Sequence, residues 1–337
     1  MKPTILVLTH TKDDCASMVI DKIKNLNANV VRLDTDMFHK DTKCSMYLDA
    51  EGKFNGSYTF SDSVISFDQV STVWNRRIHD PEIDKIFSDP ELIEWSKEET
   101  FWAMNISFTM FQCPVVNPWE VNERLKFNKI FQMRKAAEIG FEVPESCITD
   151  EKSSIFSFWN KVDQEMIFKK IRKGLFYLSN GQRVILHTNK ISHEKFNEES
   201  VERMVLVPIF LQRHISKKYD VRSIVVGDSI FSFAIHSQEI PEGKIDYRTP
   251  GVLGRIRDMK HELIDLGEDI NKKILKFVNF FGLTFSALDF IITPDDRIVF
   301  LEDNPNGQWA WLEQITNVPI AERYAQKLVQ LGEQFIH

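Results

Sequence analysis

Ala287-Leu-Asp289-Phe-Ile-Ile292, Thr293-Pro-Asp-Asp296 and Arg297-Ile-Val-Phe-Leu-Glu302-Asp-Asn304-Pro-Asn306-Gly-Gln-Trp309 follow one another without a gap. Two apolar runs joined by a short Pro-Asp-Asp turn predict a β-hairpin whose register brings Asp289 near Glu302 and Asn304. Residues two apart in a strand share a face, so Glu302 and Asn304 aim together and Asp303 points away. Two carboxylates and an amide oxygen converging on one point make a hard, all-oxygen site of the kind that suits Mg²⁺. Asp-Asn-Pro-Asn is also a good turn sequence, so taken alone this stretch leaves a plain turn open.

The rest of the chain bounds the answer. It has 337 residues and 42 Lys+Arg against 49 Asp+Glu, a formal charge of −7, which argues against a nucleic-acid partner. A composition 43% hydrophobic and 27% charged is that of an ordinary globular protein. At roughly 100–200 residues per domain the length predicts two or three domains. Cys15, Cys44, Cys113 and Cys147 are scattered with no C-x-x-C pair, which argues against a zinc site and a disulfide framework and fits a reducing cytoplasm. The apolar run Ile5–Leu8 is too short for a signal-peptide core, and no stretch approaches the ~20 residues of a spanning helix. A cytoplasmic protein with no membrane partner is expected.

Thr4–Thr9, then Met18, Ile20, Ile23 and Leu26 at helical spacing, then Asn29–Leu33 predict a βαβ start and a parallel sheet. Asp34-Thr35-Asp36 lies at a strand's carboxyl end, where α/β sites form, although a helix cap is the simpler reading. Ser45–Phe67 predicts a meander, Thr72–Arg77 a strand, and Pro90–Phe111 a helix whose Leu92, Trp95, Phe101, Trp102, Met104 and Phe108 face a core. Asn117-Pro118 breaks the chain. Beyond it come a helix Leu125–Ile139 stopped by Gly140 and strands at Pro144–Thr149, Met166–Ile171, Arg183–Thr188, Val205–Gln212, Val221–Val226 and Ser229–His236. A long helix Met259–Phe281, the hairpin and a closing helix Pro319–Phe335 complete the chain. Arg172–Gln182 and Ile240–Arg257, rich in glycine, are predicted to be flexible.

In order, Asn128-Lys129, Gly140-Phe-Glu-Val-Pro144, Ile167-Phe-Lys169, Phe210-Leu-Gln212, Asp220-Val-Arg222, Asp246-Tyr-Arg248 and Asp289…Glu302-Asp-Asn304 resemble the motifs of the ATP-grasp superfamily. Leu8-Thr9-His10, Arg32-Leu-Asp34-Thr-Asp36, Val73-Trp-Asn-Arg76-Arg77 and Asn304-Pro-Asn-Gly-Gln-Trp309 further resemble the microviridin-type ligases, which cross-link ribosomal precursor peptides into graspetides. The resemblance implies an α/β chain of three parts. A βαβ pre-ATP-grasp domain (residues 1–117) precedes a central lid (118–204) and a C-terminal subdomain with the metal site (205–337), the last two being the α+β halves that grip ATP.

It also implies roles. Lys129 and Lys169 would neutralise the α- and β-phosphates, with Lys170 on the opposite strand face. Val207–His214 would be the hinge that reads adenine, through Gln212, Arg213 and His214; many relatives carry an acidic residue where Arg213 stands, which leaves that contact to the main chain. Asp220 would contact the ribose. Arg222 and Arg248 would hold the γ-phosphate and the acyl phosphate, a task suited to a forked, permanently charged guanidinium. Asp289, Glu302 and Asn304 would ligate Mg²⁺, so that removing Asp289 or Glu302 ends activity with the fold intact. No nucleophile is required, and His214 and His236 are read as structural rather than as bases.

The implied reaction uses ATP and Mg²⁺ to activate Asp or Glu side chains of a precursor peptide, closing ω-esters to Thr or Ser or ω-amides to Lys. The partner would be that precursor, leader plus core, with Arg183–Met204 as a leader dock, and a homodimer is one assembly open to the chain. Two other readings stand beside it: an amino-acid ligase acting on a protein or small acceptor, and a nucleotide-binding regulatory module without turnover.

Overall fold

Ile5, Leu6, Val7 and Leu8 are each at most 1% exposed. A run apolar on both faces belongs inside a parallel sheet covered on two sides, and Thr4–Thr9 forms the inner strand β1 of such a sheet. The computed structural model describes residues 1–83, 87–172, 174–186 and 188–337. It continues with α1 (Asp14–Ile23), capped by the Asp13 carboxylate, and β2 (Asn29–Asp34), parallel to β1. β3 (Lys43–Leu48), β4 (Phe54–Thr59) and β5 (Val64–Ser66) form the meander. β6 (Thr72–Asn75) returns to the other side of β1, and after α2 (Pro90–Phe108) the short β7 (Val115–Val116) completes the order β2-β1-β6-β7.

One expectation fails at α2. Met104 is buried, but Trp95 and Trp102 are 59% and 62% exposed, and Leu92 and Ile106 face outward with them. The helix carries apolar residues around most of its circumference, and only one face reaches the core. That face includes Ser107, whose hydroxyl meets the buried Tyr58 phenol at 2.5 Å.

The second unit opens with α3 (Trp119–Leu125) and α4 (Lys129–Ile139). The helix predicted over Leu125–Ile139 is interrupted at 126–128, where Phe127 has φ +62° and Asn128 caps α4. Gly140, at φ +106°, ends α4 in the left-handed conformation that glycine adopts without strain. β8 (Ser146–Thr149) and α5 (Lys152–Lys161) follow. The sequence reading missed α5, although Ile155, Phe158, Trp159 and Val162 have helical spacing and are buried. Next come β9 (Met166–Lys169), β10 (Leu175–Tyr177), β11 (Arg183–Ile185), β12 (Asn189–Lys190), α6 (Glu198–Met204) and β13 (Ile209–Arg213). The lid sheet runs β12-β9-β13-β8, so it includes β13 beyond residue 204. β10 and β11 pair as a separate hairpin within the region predicted as a loop and dock; Lys173 and His187 of those readings lie outside the described residues.

The third unit is an antiparallel sheet of β14 (Tyr219–Val226), β15 (Ser229–Ile235), then α7 (Arg248–Val252), β16 (His261–Ile264), α8 (Glu268–Phe280), β17 (Phe285–Ile292) and β18 (Ile298–Asn304), in strand order β16-β15-β14-β17-β18. α9 (Ala310–Thr316) and α10 (Ile320–Ile336) close the chain. The helix predicted from Met259 starts only at Glu268. His261–Ile264 instead pairs with the edge of β15, and Gly267, at φ +86°, separates strand from helix. Residues of alternate parity enter different cores: Val221, Val225, Leu288 and Phe290 pack with α4 and α8, whereas Ile224, Val226, Phe285 and Ala287 pack with α1, α10 and Trp74. No helix among the described residues is long and apolar enough to cross a membrane.

Asn117, where the sequence breaks, fastens the first unit to the third. Its buried amide donates to the carbonyls of Phe285 (2.7 Å) and Pro305 (2.8 Å) and accepts from the N–H groups of Thr284 (2.9 Å) and Phe285 (3.1 Å). Asn117→Ala strands these backbone groups, and each unsatisfied buried group costs about 1–3 kcal/mol. The urea midpoint is expected to fall by the equivalent of about 3 kcal/mol with the denaturant slope unchanged.

Candidate active site

The parity of the third sheet also builds the site. Arg222 lies on the face of Ile224 and Val226, and the register sets it opposite Asp289, which in turn faces Glu302, with Asn304 opposite Ala287. Arg222 Nη1 and Asp289 Oδ1 are 2.8 Å apart, each side chain 6% exposed. The Tyr247 phenol donates to the same Asp289 oxygen (3.2 Å) and accepts from Arg222 (3.0 Å). Burial alone would lower the Arg222 pKa, but Asp289 and Tyr247 outweigh it and hold the guanidinium charged. Asp303 points away, as expected, and bonds to Ser286; burial pushes its pKa up to about 7.

α4 docks against β18 through Gln132, which accepts from the Asp303 N–H and donates to the Asp303 carbonyl, both at 2.9 Å. One turn earlier on that face stands Lys129, whose ammonium meets Glu302 Oε2. Arg248 reaches Glu302 Oε1 at 2.8 Å and Asp246 at 2.8 and 3.0 Å. Burial, reinforced by Lys169 and Arg248, pushes the Lys129 pKa down to about 7. Burial, then Arg248, takes Lys169 down to about 8. For Asp246, burial opposes ionisation but Arg248 beside it wins and holds the carboxyl well below the usual range. Cations crowd this cleft, a field that favours a polyanion.

The predicted residues fall into two connected places. A cleft of about 530 Å³ is lined by Lys129, Arg248, Glu302 and Asn304, together with Asn75, Arg77 and His79 from the first unit. Lys170 also lines it: β9 ends at Lys169, so the alternation that turned Lys170 away stops one residue too early to apply. The second place is a slot of about 40 Å³ bearing Lys169, Gln212, Arg213, His214 and Asp220, with Ile167, Ile291 and Leu301 as apolar lining. That volume is far below the roughly 300 Å³ of small-molecule pockets. The Arg213 side chain is tied to Glu145 (2.8 Å) and Asp163 (3.0 Å), and its backbone N–H donates to the Glu145 carbonyl (2.9 Å). Asp220 is paired with Lys217 (2.7 Å) and Ser237 (2.5 Å). His214 and His236 are engaged by Glu165 (3.0 Å) and Glu262 (2.8 Å).

Sequence reasoning missed Tyr247 as an Asp289 partner and the tether on the loop after Asn304. Arg76, 1% exposed, donates to the carbonyls of Asn306 (2.8 Å) and Gly307 (3.2 Å) and to Gln308 Oε1 (3.0 Å), with Asp13 at 3.2 Å behind it. A Cβ on Gly307 would stand 2.5 Å from both Arg222 Nη2 and the Ala287 Cβ, so only glycine lets the loop pass.

For a metal, the donors Asp289, Glu302 and Asn304 are all oxygen and share one sheet face, and Glu302 already holds a cationic group at each oxygen. That donor chemistry fits Mg²⁺. No cluster of three or more His, Cys, Asp or Glu that would hold an ion alone occurs among the described residues. The remaining ligands would therefore be waters and phosphate oxygens.

Residues 4–123 match the family model described as the MvdD pre-ATP grasp domain. Solved structures match along nearly the whole chain. The Chryseobacterium gregarium RiPP-associated ATP-grasp ligase, in complex with ADP and a leader and core peptide, is 26% identical with a TM-score of 0.89, over 97% of this chain and 97% of that one. Macrocyclase MdnB of Microcystis aeruginosa MRC is 26% identical at TM-score 0.75, covering 97% and 99%. MdnC of the same organism, bound with precursor peptide MdnA, is 24% identical at TM-score 0.84, covering 97% and 99%. No curated protein matches the chain.

The two carboxylates differ in what their removal does. Asp289→Ala leaves Arg222 buried without its partner and is expected to cost about 3–5 kcal/mol. Glu302→Ala leaves Arg248 its second carboxylate, Asp246, but takes the ion-pair partner from Lys129, and is expected to cost less than Asp289→Ala. Denaturant unfolding of both variants checks the difference.

Proposed function

We propose that this chain, an ATP-grasp ligase with an MvdD-type pre-ATP-grasp domain, activates Asp or Glu side chains of a ribosomally made precursor peptide and closes macrocycles through them. One observation carries the reading: Lys129 from the lid and Arg248 from the C-terminal unit converge on Glu302, beside the buried Arg222–Asp289 pair. This is the arrangement a triphosphate needs, with cations to bind it and carboxylates to share its metal. The whole-length likeness to a peptide-bound ligase at 26% identity favours a peptide acceptor over a free amino acid, and the complete charged set favours turnover over a regulatory role.

ATP lies with adenine in the slot beside Gln212, Arg213 and His214, its ribose near Asp220 and its phosphates by Lys169 and Lys129. Asp289, Glu302 and Asn304 would hold Mg²⁺, which would supply positive charge to offset that of the phosphates. The peptide carboxylate attacks the γ-phosphorus; the bond to the β-phosphate oxygen breaks, and ADP leaves. Arg222 and Arg248 hold the transferring phosphoryl group, since electrostatic stabilisation is most of what a protein supplies in this step. A Thr or Ser hydroxyl, or a Lys amine, then attacks the acyl phosphate. Phosphate and a proton depart, leaving an ω-ester or ω-amide one water lighter than the linear peptide. The leader docks on Arg183–Met204, where Leu186 is exposed and Lys195 offers charge, while Lys190 is engaged by Glu165 at 2.6 Å. A cytoplasmic setting agrees with four free cysteines.

Glu302→Ala is expected to lower ADP release with the precursor by at least about 100-fold, the scale of losing one key electrostatic group. EDTA should do the same, and the wild-type product should lose one water per ring in its mass spectrum. An active Glu302→Ala enzyme refutes the metal assignment. Lys195→Glu should weaken leader binding in a calorimetric titration and leave ATP affinity unchanged.

A further inference from the structure

Arg76 and Arg77 leave the end of β6 with different fates. Arg76 is consumed by Asp13 and the 306–308 loop. Arg77 is half-buried, and its backbone N–H bonds to the Leu8 carbonyl (3.2 Å), but its guanidinium makes no hydrogen bond or ion pair with any other described residue. A guanidinium has five N–H donors, and leaving them partly desolvated and unmatched is costly. Such a group is retained where a ligand supplies the acceptor.

Its position says which ligand. Arg77 lines the 530 Å³ cleft together with Lys129, Arg248, Glu302 and Asn304, and it is absent from the slot that holds Lys169 and Gln212. It stands at the carboxyl ends of the parallel strands β1 and β6, where open α/β sheets bind ligands. Beside it His79 stacks on His10, with ring centroids 3.9 Å apart and planes 8° from parallel. His10 Nδ1 accepts from the Lys12 N–H (3.2 Å), which makes Nε2 the protonated nitrogen, buried and without a partner. Burial lowers the pKa of both rings. Among the described residues, the wall is thus one cation without an ion-pair partner, set in a neutral imidazole shelf. An acceptor attacking a γ-phosphate in line arrives from the side away from the leaving ADP, and Arg77 lines the cleft with Lys129 and Arg248 and not the slot.

We propose that Arg77 binds the substrate carboxylate that is to be phosphorylated, offsetting its repulsion from the triphosphate, with the His10–His79 pair as the floor of that subsite. This deepens the peptide-carboxylate reading above and rests on it. A forked guanidinium takes both oxygens of a carboxylate, an interaction an isosteric amide cannot reproduce.

The test uses the full chain loaded with ADP and Mg²⁺, and as probes acetyl-glutamate amide and its uncharged isostere acetyl-glutamine amide, titrated by ligand-detected NMR. Wild type is expected to bind the acid at least about 10-fold tighter than the amide, the scale of one charge-assisted hydrogen-bonded pair. Arg77→Gln should bind the two alike, Arg77→Lys should fall between, and ADP affinity should be unchanged in both. If Arg77→Gln discriminates as wild type does, Arg77 is not the carboxylate ligand, although the carboxylate reading stands. If it loses ADP affinity in the same proportion, Arg77 is a phosphate ligand and the proposal is wrong. If wild type shows no preference for the acid, the carboxylate reading falls and this subsite with it. The lysine variant keeps the charge, so its partial preference separates a binding role from a general disturbance of β6.

Discussion

Glu302 sits between two cations that come from different parts of the chain, Lys129 at the start of α4 and Arg248 at the start of α7. A carboxylate only 14% exposed needs such partners, because burying charge without them is prohibitive. Much of the surrounding structure follows from meeting that need. Gln132 fixes α4 on the backbone of Asp303, and Asp246 orients Arg248 from its other side. The arrangement is over-supplied with positive charge; burial first, and the neighbouring cations after it, push the pKa values of Lys129 and Lys169 down. A bound polyanion therefore adds a missing partner to a site whose side chains are already close to where they must act.

The sheet that supports the site serves two masters by alternation alone. One set of residues on β14 and β17 closes a core against α4 and α8; the other begins as a core against α1 and α10 and ends as Arg222 and Asp289. The transition from apolar to ionic occurs within one strand, between Ala287 and Asp289, with a bulge after Asp289 that shifts the register toward β18. Bulges beside functional residues re-aim side chains in this way.

Reading the sequence went furthest where a local period decides the outcome. The βαβ opening, the β17–β18 hairpin and the turning of Asp303 away from Glu302 and Asn304 all follow from period-two and period-3.6 patterns. It failed where two patterns compete or where the deciding contact is distant. His261–Ile264 is apolar enough to extend the following helix, and only the free edge of β15 makes it a strand. Trp95 and Trp102 read as core because hydrophobicity carries no direction when a helix is apolar on several faces. Lys170 was assigned by alternation, but its strand ends before it. The tie from Arg76 to Asn306 spans 230 positions, and no spacing rule reaches that far. The residues around Glu302 and Asp289 were legible as a group because their order along the chain resembles a known family; Tyr247 and Arg77 lie inside the stretches that carry that resemblance but had no local signal of a role, and Gln132 lies outside them.

The Arg76 tether has a consequence for how such proteins vary. The loop that follows Asn304 takes part of its shape from a side chain in the first unit, itself backed by Asp13. The two units are therefore not interchangeable parts. A chimaera that joins the first 117 residues of one relative to the remainder of another would have to transplant Asp13, Arg76 and the 306–308 loop as a set. Sequence drift at any one of them is constrained by the other two, so these positions should diverge in concert while the surface between them changes freely.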